Sequence, residues 1–219
     1  GGPGTGKTTT LAKLLILLFE LQTDTTIALA APTGKAAMRM HDALKNSTLP
    51  FATTTKQKID HLKPSTIHSL LGYKKDSVHF KYHAQNPLPY DWVVVDEASM
   101  IDLPLFAKLL DALAPHTRII LLGDKDQLAS VEACSLLGDL CACLPQLNLF
   151  AKDQIHWLNQ FITDANRQIP GNYVSELPTL LKGHILELQY SHRFNSAGAI
   201  GKISKAAITS AVNELQHCL

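Results

Sequence analysis

An α/β domain with a mainly parallel central sheet is the fold class that this 219-residue sequence predicts, and three observations carry the prediction. Short, almost continuously apolar runs alternate with longer stretches of helical period, the pattern of strands covered on both faces by helices. A glycine-rich segment stands directly before the first helical stretch. One apolar run, Trp92-Val93-Val94-Val95, ends in two adjacent carboxylates, Asp96 and Glu97. With 46% hydrophobic residues, the chain is long enough to bury the core of one large domain or two small ones.

Taken in order, the periodicity predicts a helix over residues 7–21, a strand over 26–31 and a helix over 34–44. A strand over 92–96, a helix over 103–113 and a strand over 118–123 follow, and a shorter apolar run marks 185–188 as a further strand. A last helical pattern covers 199–215. Between these elements, residues 73–89 set Val78, Phe80 and Tyr82 in loose alternation and end in Asn86-Pro87-Leu88-Pro89. That composition predicts a small β-hairpin insertion projecting from the domain. Residues 144–182 are punctuated by Pro145, Pro170, Gly171 and Pro178 and keep a period only over 155–162, so they read as a peripheral, partly irregular segment.

Composition excludes more than it assigns. The formal net charge is +1, from 20 basic and 19 acidic residues, so contact with nucleic acid has to come from local clustering. The apolar run 11–21 is interrupted by Lys13 and Glu20 and falls short of the roughly 20 residues a membrane span needs. Four cysteines, at 134, 141, 143 and 218, form no C-x-x-C pair, and read as reduced thiols of a cytoplasmic protein with no membrane association.

Chemistry enters with Gly1-Gly2-Pro3-Gly4-Thr5-Gly6-Lys7-Thr8, which fits the phosphate-loop pattern G-x-x-x-x-G-K-[ST] in full. Glycines let the backbone turn its N–H groups toward phosphate oxygens, and the helix that follows adds the positive end of its dipole. Lys7 is placed to reach the β- and γ-phosphates of ATP and Thr8 to put its hydroxyl on Mg²⁺. The strand ending at Asp96 supplies the second half of such a site, because a carboxylate there holds the magnesium shell from the opposite side. Glu97, next along, is placed to orient or deprotonate an attacking water. A third group, Asp124 and Gln127, follows the apolar run 118–123. It reads either as an ordinary polar loop or as an amide that senses the γ-phosphate or the attacking water.

The ordered series GGPGTGKTT, APTGKAAMRM, TIHSLLG, NPLPYDWVVVDEASMIDLP, LLGDKDQLASVEACSLLGDL and SHRF resembles superfamily 1 DNA helicases, and among them the RecD family of exodeoxyribonuclease V alpha subunits. Only residues 145–182 and the tail after Lys205 lack a matching motif. The resemblance implies a RecA-like P-loop NTPase domain spanning 1–219, with 73–89 as its small hairpin insertion. It also implies an ATP-hydrolysing 5′-to-3′ DNA helicase motor of end processing and recombinational repair. The nucleotide set it implies is Gly2, Gly4, Thr5, Gly6, Lys7, Thr8 and Thr9, with Thr8 and Asp96 on the metal. The catalytic set is Lys7, Glu97, Gln127 and Arg193, the last two matching motifs III and IV. Thr33, Gly34 and Lys35, then Thr66 and His68, match the segments that line single-stranded DNA, and the other subunits of a RecBCD-type complex are implied partners. Lys56, Lys58, Lys63, Lys74 and Lys75 cluster in the same part of the sequence and read equally as a DNA contact or a solvated basic face.

Against that pattern, the sequence begins on the phosphate loop itself. The strand expected before it, an adenine-contacting segment and a second RecA-like domain with its arginine finger all fall outside the 219 residues. The expectation is therefore a fragment with its first strand missing, a vacant position beside residues 92–96, and little activity alone. Three other readings stay open: a free-standing RecD-like helicase, a P-loop phosphotransferase, and an assembly module whose nucleotide only sets conformation.

Overall fold

Four strands, all parallel, lie in the order β2-β1-β3-β4: β1 (Ile27–Ala31), β2 (Ser65–Thr66), β3 (Trp92–Val95) and β4 (Arg118–Leu121). They belong to a computed structural model that describes the chain apart from Gly1, Pro3 and residues 47–51, 76, 78, 126, 128–135, 177–178 and 191–219. The expected helix 199–215, and Arg193 with it, lie outside the described residues.

Helix α1 (Lys7–Leu21) buries Leu11, Ala12, Leu15, Leu18 and Phe19, the stripe that a 3.6-residue period turns to one side. On the same face of the sheet lie α2 (Gly34–Lys45), through Ala36, Ala37, Met40 and Leu44, and α3 (Thr53–His61), through Ile59; Leu29 and Val94 meet them from the strands. The other face carries Ala28, Ala30, Val93 and Val95 against Ile67 and Leu70 of α4 (Ile67–Leu70), Leu88, Ile101, and Phe106 and Leu109 of α5 (Leu103–Asp111). Val93, Val94 and Val95 are all 0% exposed, so β3 is covered on both faces, as its unbroken apolar run predicts. Helix α5 starts where Asp102 accepts the Leu105 N–H at 2.7 Å, with Pro104 in its first turn, where no N–H is needed.

Two expectations about the sheet need correction. No vacant position lies beside residues 92–96, because β3 is bonded to β1 on one side and β4 on the other. Among the described residues the outer strands are β2 and β4, and β4 is half-buried to exposed although its apolar run reads as a strand covered on both faces. Position at the edge, which composition does not encode, makes that difference. Residues 185–188 form no strand. There the backbone is bonded to a side chain instead: Asn148 accepts the Glu187 N–H at 2.7 Å and donates to the Glu187 carbonyl at 3.2 Å.

Among the described residues of 73–89, His83 and Asn86 form an antiparallel bridge. The Lys81 and Tyr82 N–H groups donate to the Gly72 and Leu71 carbonyls, and Leu88 is 1% exposed. Beyond β4, α6 (Leu136–Ala142) and α7 (Lys152–Asn159) are followed by 3-10 turns at Ala165–Arg167 and Gly171–Tyr173, a mostly irregular segment as its prolines predict. Cys143 is an exposed free thiol, and among the described residues no helix is long and apolar enough to cross a membrane.

A clamp fixes register at the amino ends of the strands. The Asp91 carboxylate accepts both the N–H and the hydroxyl of Thr26 at 2.8 Å, while the Asp91 carbonyl accepts the Arg118 N–H at 2.8 Å. Those bonds from Thr26, backbone first, hold the Asp91 carboxyl below its ordinary value. A carboxyl lowered in the folded state contributes stability above its unfolded value, and that contribution is lost as pH falls through the lowered one. Asp91→Asn is therefore expected to destabilise the domain at neutral pH. In urea unfolding the gap from the parent should close as pH drops below the ordinary carboxylate range; a pH-independent gap would mean that the charge plays no part.

Candidate nucleotide site

The described residues of the nucleotide, metal, catalytic and DNA sets, except His68 within α4, stand after the carboxyl end of a parallel strand or in the loop and first turn of α1. This is the end of an open α/β sheet where ligands bind. Gly4 and Gly6 have φ of 75° and 85°, left-handed values that a side chain resists, and Gly6 is the residue from which α1 starts. The Thr5 hydroxyl donates to the Gly2 carbonyl at 2.8 Å, and the Lys7 ammonium reaches the same oxygen at 3.1 Å. The loop is thus pinned with Lys7 and Thr8 on the first turn of the helix. Gly2, Gly4, Thr5, Gly6, Lys7, Thr8 and Thr9 line one side of a cleft of about 1120 Å³, which Glu187, Leu188, Gln189 and Tyr190 close on the other. A glycine-rich turn with a lysine at a helix start suits a phosphate group; Asp96, Glu97 and Gln127 are not among the residues lining this cleft.

The carboxylates arrive on β3 and β4. The Asp96 N–H donates to the Ala30 carbonyl at 2.9 Å, and its Oδ1 accepts the Glu97 N–H at 2.9 Å. Glu97 has φ of 52°, a conformation that costs a non-glycine residue on the order of 1 kcal/mol or more and turns the chain sharply out of the strand. Asp124, 7% exposed, stands behind the loop, since a Cβ on Gly2 would lie 4.0 Å from its Oδ2. Among the described residues no group of three or more His, Cys, Asp or Glu side chains gathers into a metal site of its own. Magnesium is commonly held by one or two protein oxygens together with phosphate oxygens and water. Thr8 and Asp96 are the residues that would hold it.

Thr33 and Thr66 sit at the ends of β1 and β2 and cap the next helices, their hydroxyl oxygens accepting the Ala36 and Ser69 N–H groups at 3.2 and 3.1 Å. An accepting hydroxyl still has its own proton to donate, so capping leaves both threonines able to meet a phosphate. Lys35 is exposed, and a Cβ on Gly34 would meet nothing within 4 Å, so the chain there is open to a ligand. The exposed His68 ring sits edge-on to Tyr73 and Phe80, centroids 6.5 and 5.9 Å away. The described part of the sheet thus brings together Lys7, Thr8, Asp96, Glu97 and Gln127 at one end, with Thr33, Gly34, Lys35 and Thr66 beside them.

Two contacts went unread in the sequence. Arg39, on α2, stands 3.9 Å from Glu97, an exposed pair of small energetic weight. The Ser99 hydroxyl donates to Gln127 Oε1 at 3.1 Å. Side chains 58 and 28 positions apart carry no local signal of meeting. The segment 187–190 across the cleft was missed for the same reason; Lys125 ties it down through Glu187 at 3.6 Å.

A phosphate loop opening a helix, facing carboxylates at the carboxyl ends of parallel strands, defines a P-loop nucleotide-binding domain. The chain belongs to the AAA domain family, whose profile matches residues 1–133. Its resemblance to RecD extends over nearly the whole chain: it is 42% identical over 213 residues to RecBCD enzyme subunit RecD of Haemophilus influenzae, covering 94% of this chain and 32% of that protein. To the ATP-dependent RecD2 DNA helicase of Deinococcus radiodurans it is 37% identical over 149 residues, covering 68% of this chain and 18% of the other. The chain thus spans about a third or less of the length of these relatives. Among solved structures, Bacteroides Pif1 bound to ssDNA superposes with a TM-score of 0.35 at 21% identity, covering 64% of this chain and 31% of that one, which adds nothing to the sequence relationship.

Proposed function

We propose that this domain is the ATP-hydrolysing first motor domain of a cytoplasmic RecD-type DNA helicase, moving 5′ to 3′ on single-stranded DNA during end processing and recombinational repair. The observation that carries the reading is the sheet's carboxyl end, where a pinned phosphate loop with Lys7 and Thr8 shares one edge with Asp96, Glu97 and the Thr33 to Lys35 turn. Lys7 neutralises charge developing on the γ-phosphoryl group, and Thr8 with Asp96 holds Mg²⁺. Glu97 takes a proton from the attacking water, and Gln127 and Arg193 report the γ-phosphate. Thr33, Gly34, Lys35, Thr66 and His68 form a track for phosphates that is indifferent to base sequence. The partners in this reading are single-stranded DNA and the other subunits of a RecBCD-type exonuclease complex. The relative named as a RecD2 helicase supports a second reading, a free-standing helicase, with the same chemistry.

Hydrolysis in such motors takes place between two RecA-like domains, and the chain spans 32% of its Haemophilus relative. An arginine supplied from outside the loop contributes about 10³-fold or more in P-loop enzymes. Purified residues 1–219 are accordingly expected to show no ATPase activity stimulated by single-stranded DNA and no strand separation. The test is steady-state phosphate release with and without oligonucleotide, and robust stimulated turnover that Lys7→Ala abolishes would refute the two-domain requirement.

A further inference from the structure

The turn after Glu97 and the loop that carries Gln127 are built as one unit. The Ala98 N–H donates to the Leu122 carbonyl at 2.8 Å, and the Leu122 N–H donates to the Val95 carbonyl at 2.8 Å. A Cβ on Gly123 would come within 3.2 Å of the Ser99 nitrogen and 3.5 Å of the Ala98 nitrogen, so the two backbones pack where a side chain has no room. Ser99 lies in the 3-10 turn Ala98–Met100 directly after Glu97. It is a buried polar residue, 2% exposed, and its hydroxyl donates to Gln127 Oε1 at 3.1 Å.

We propose that Ser99 is a positioning residue: by holding the carbonyl oxygen of the Gln127 amide, it presents the amide nitrogen to the nucleotide and makes Gln127 a hydrogen-bond donor there. The Gln127 side chain is otherwise exposed, and a primary amide has two faces of similar shape and opposite polarity. With Oε1 engaged by a buried hydroxyl, its two N–H groups remain for a phosphate oxygen, and an amide is too weak a base to take a proton from water. Proton abstraction is left to Glu97. Because Ser99 follows Glu97 by two residues on a turn bonded to β4, a displacement of Gln127 is also transmitted to the carboxylate. This inference rests on the motor reading above.

The test uses the full-length protein and its DNA-stimulated ATP hydrolysis. Ser99→Ala is expected to lower kcat about tenfold, equivalent to about 1.4 kcal/mol, with KM for ATP and the thermal unfolding midpoint unchanged. In a Gln127→Ala background, Ser99→Ala should cost nothing further, because coupled residues are not additive. Gln127→Glu keeps an acceptor for Ser99 but replaces the donor by an anion, and should be at least as slow as Gln127→Ala. Effects of Ser99→Ala and Gln127→Ala that multiply, a loss that follows a lowered unfolding midpoint, or parental turnover in Gln127→Glu would each overturn the assignment. If Lys7→Ala abolishes turnover while Ser99→Ala leaves it intact, the Ser99 assignment alone fails. If Lys7→Ala hydrolyses ATP normally, the motor reading falls and this inference with it.

Discussion

Lys7→Ala in the full-length protein is expected to remove DNA-stimulated ATP hydrolysis almost completely while leaving the fold intact. Lys7 opens α1, and its ammonium is held 3.1 Å from the Gly2 carbonyl, so the charge stands over the loop before any nucleotide arrives. Groups arranged in advance toward developing charge need little reorganisation during the reaction, which is why their loss is felt in the transition state. Removing this one should cost on the order of 3 kcal/mol, or about 10²-fold in rate. Lys7 is only half-buried and belongs to neither core cluster, so thermal unfolding should hardly change. Near-parental turnover in steady-state assays would sink the motor reading.

Glu97→Gln should separate binding from hydrolysis. The amide has the size of the carboxylate and accepts the same φ of 52°, but it has no lone pair basic enough to take a proton from water. Nucleotide affinity, read by titration with a fluorescent analogue, should persist while kcat falls about 10²-fold or more. The Asp96 bond to the Glu97 backbone N–H does not depend on the side chain and should survive. A collapse of affinity would instead make Glu97 part of the metal shell or a structural residue.

The strands and the phosphate loop were legible because their signals are local. Residues 27–31 and 92–95 carry unbroken apolar runs, and the motif fixes Lys7 and Thr8 by spacing alone. Helix α2 was read to within one residue, helped by Thr33 as its cap. Elsewhere the local signal was weak or misleading. Strand β2 has two residues, too few for any period. Helix α3 reads Thr-Thr-Thr-Lys-Gln-Lys-Ile-Asp-His and buries only Thr55 and Ile59, so its apolar stripe is too thin to announce a helix. Residues 185–188 have strand composition, yet the Asn148 side chain takes backbone groups that a neighbouring strand would have bonded. Burial of β4 was overestimated because an apolar run gives the character of a strand but not its place in the sheet.

The clamp between Thr26 and Asp91 has a consequence for how this domain tolerates change. It ties the amino ends of β1 and β3 and reaches Arg118 at the start of β4, while the phosphate loop, Asp96, Glu97 and Asp124 gather at the opposite end. Mutational demands on the two ends are therefore nearly independent, since substitutions well separated in space tend to act additively. Variation that strengthens or relaxes the lower rim can drift without disturbing the phosphate site, and the reserve of stability it creates offsets the strained turn at Glu97. One rim of the sheet serves as a reservoir of robustness, and the other is free to remain strained and exacting.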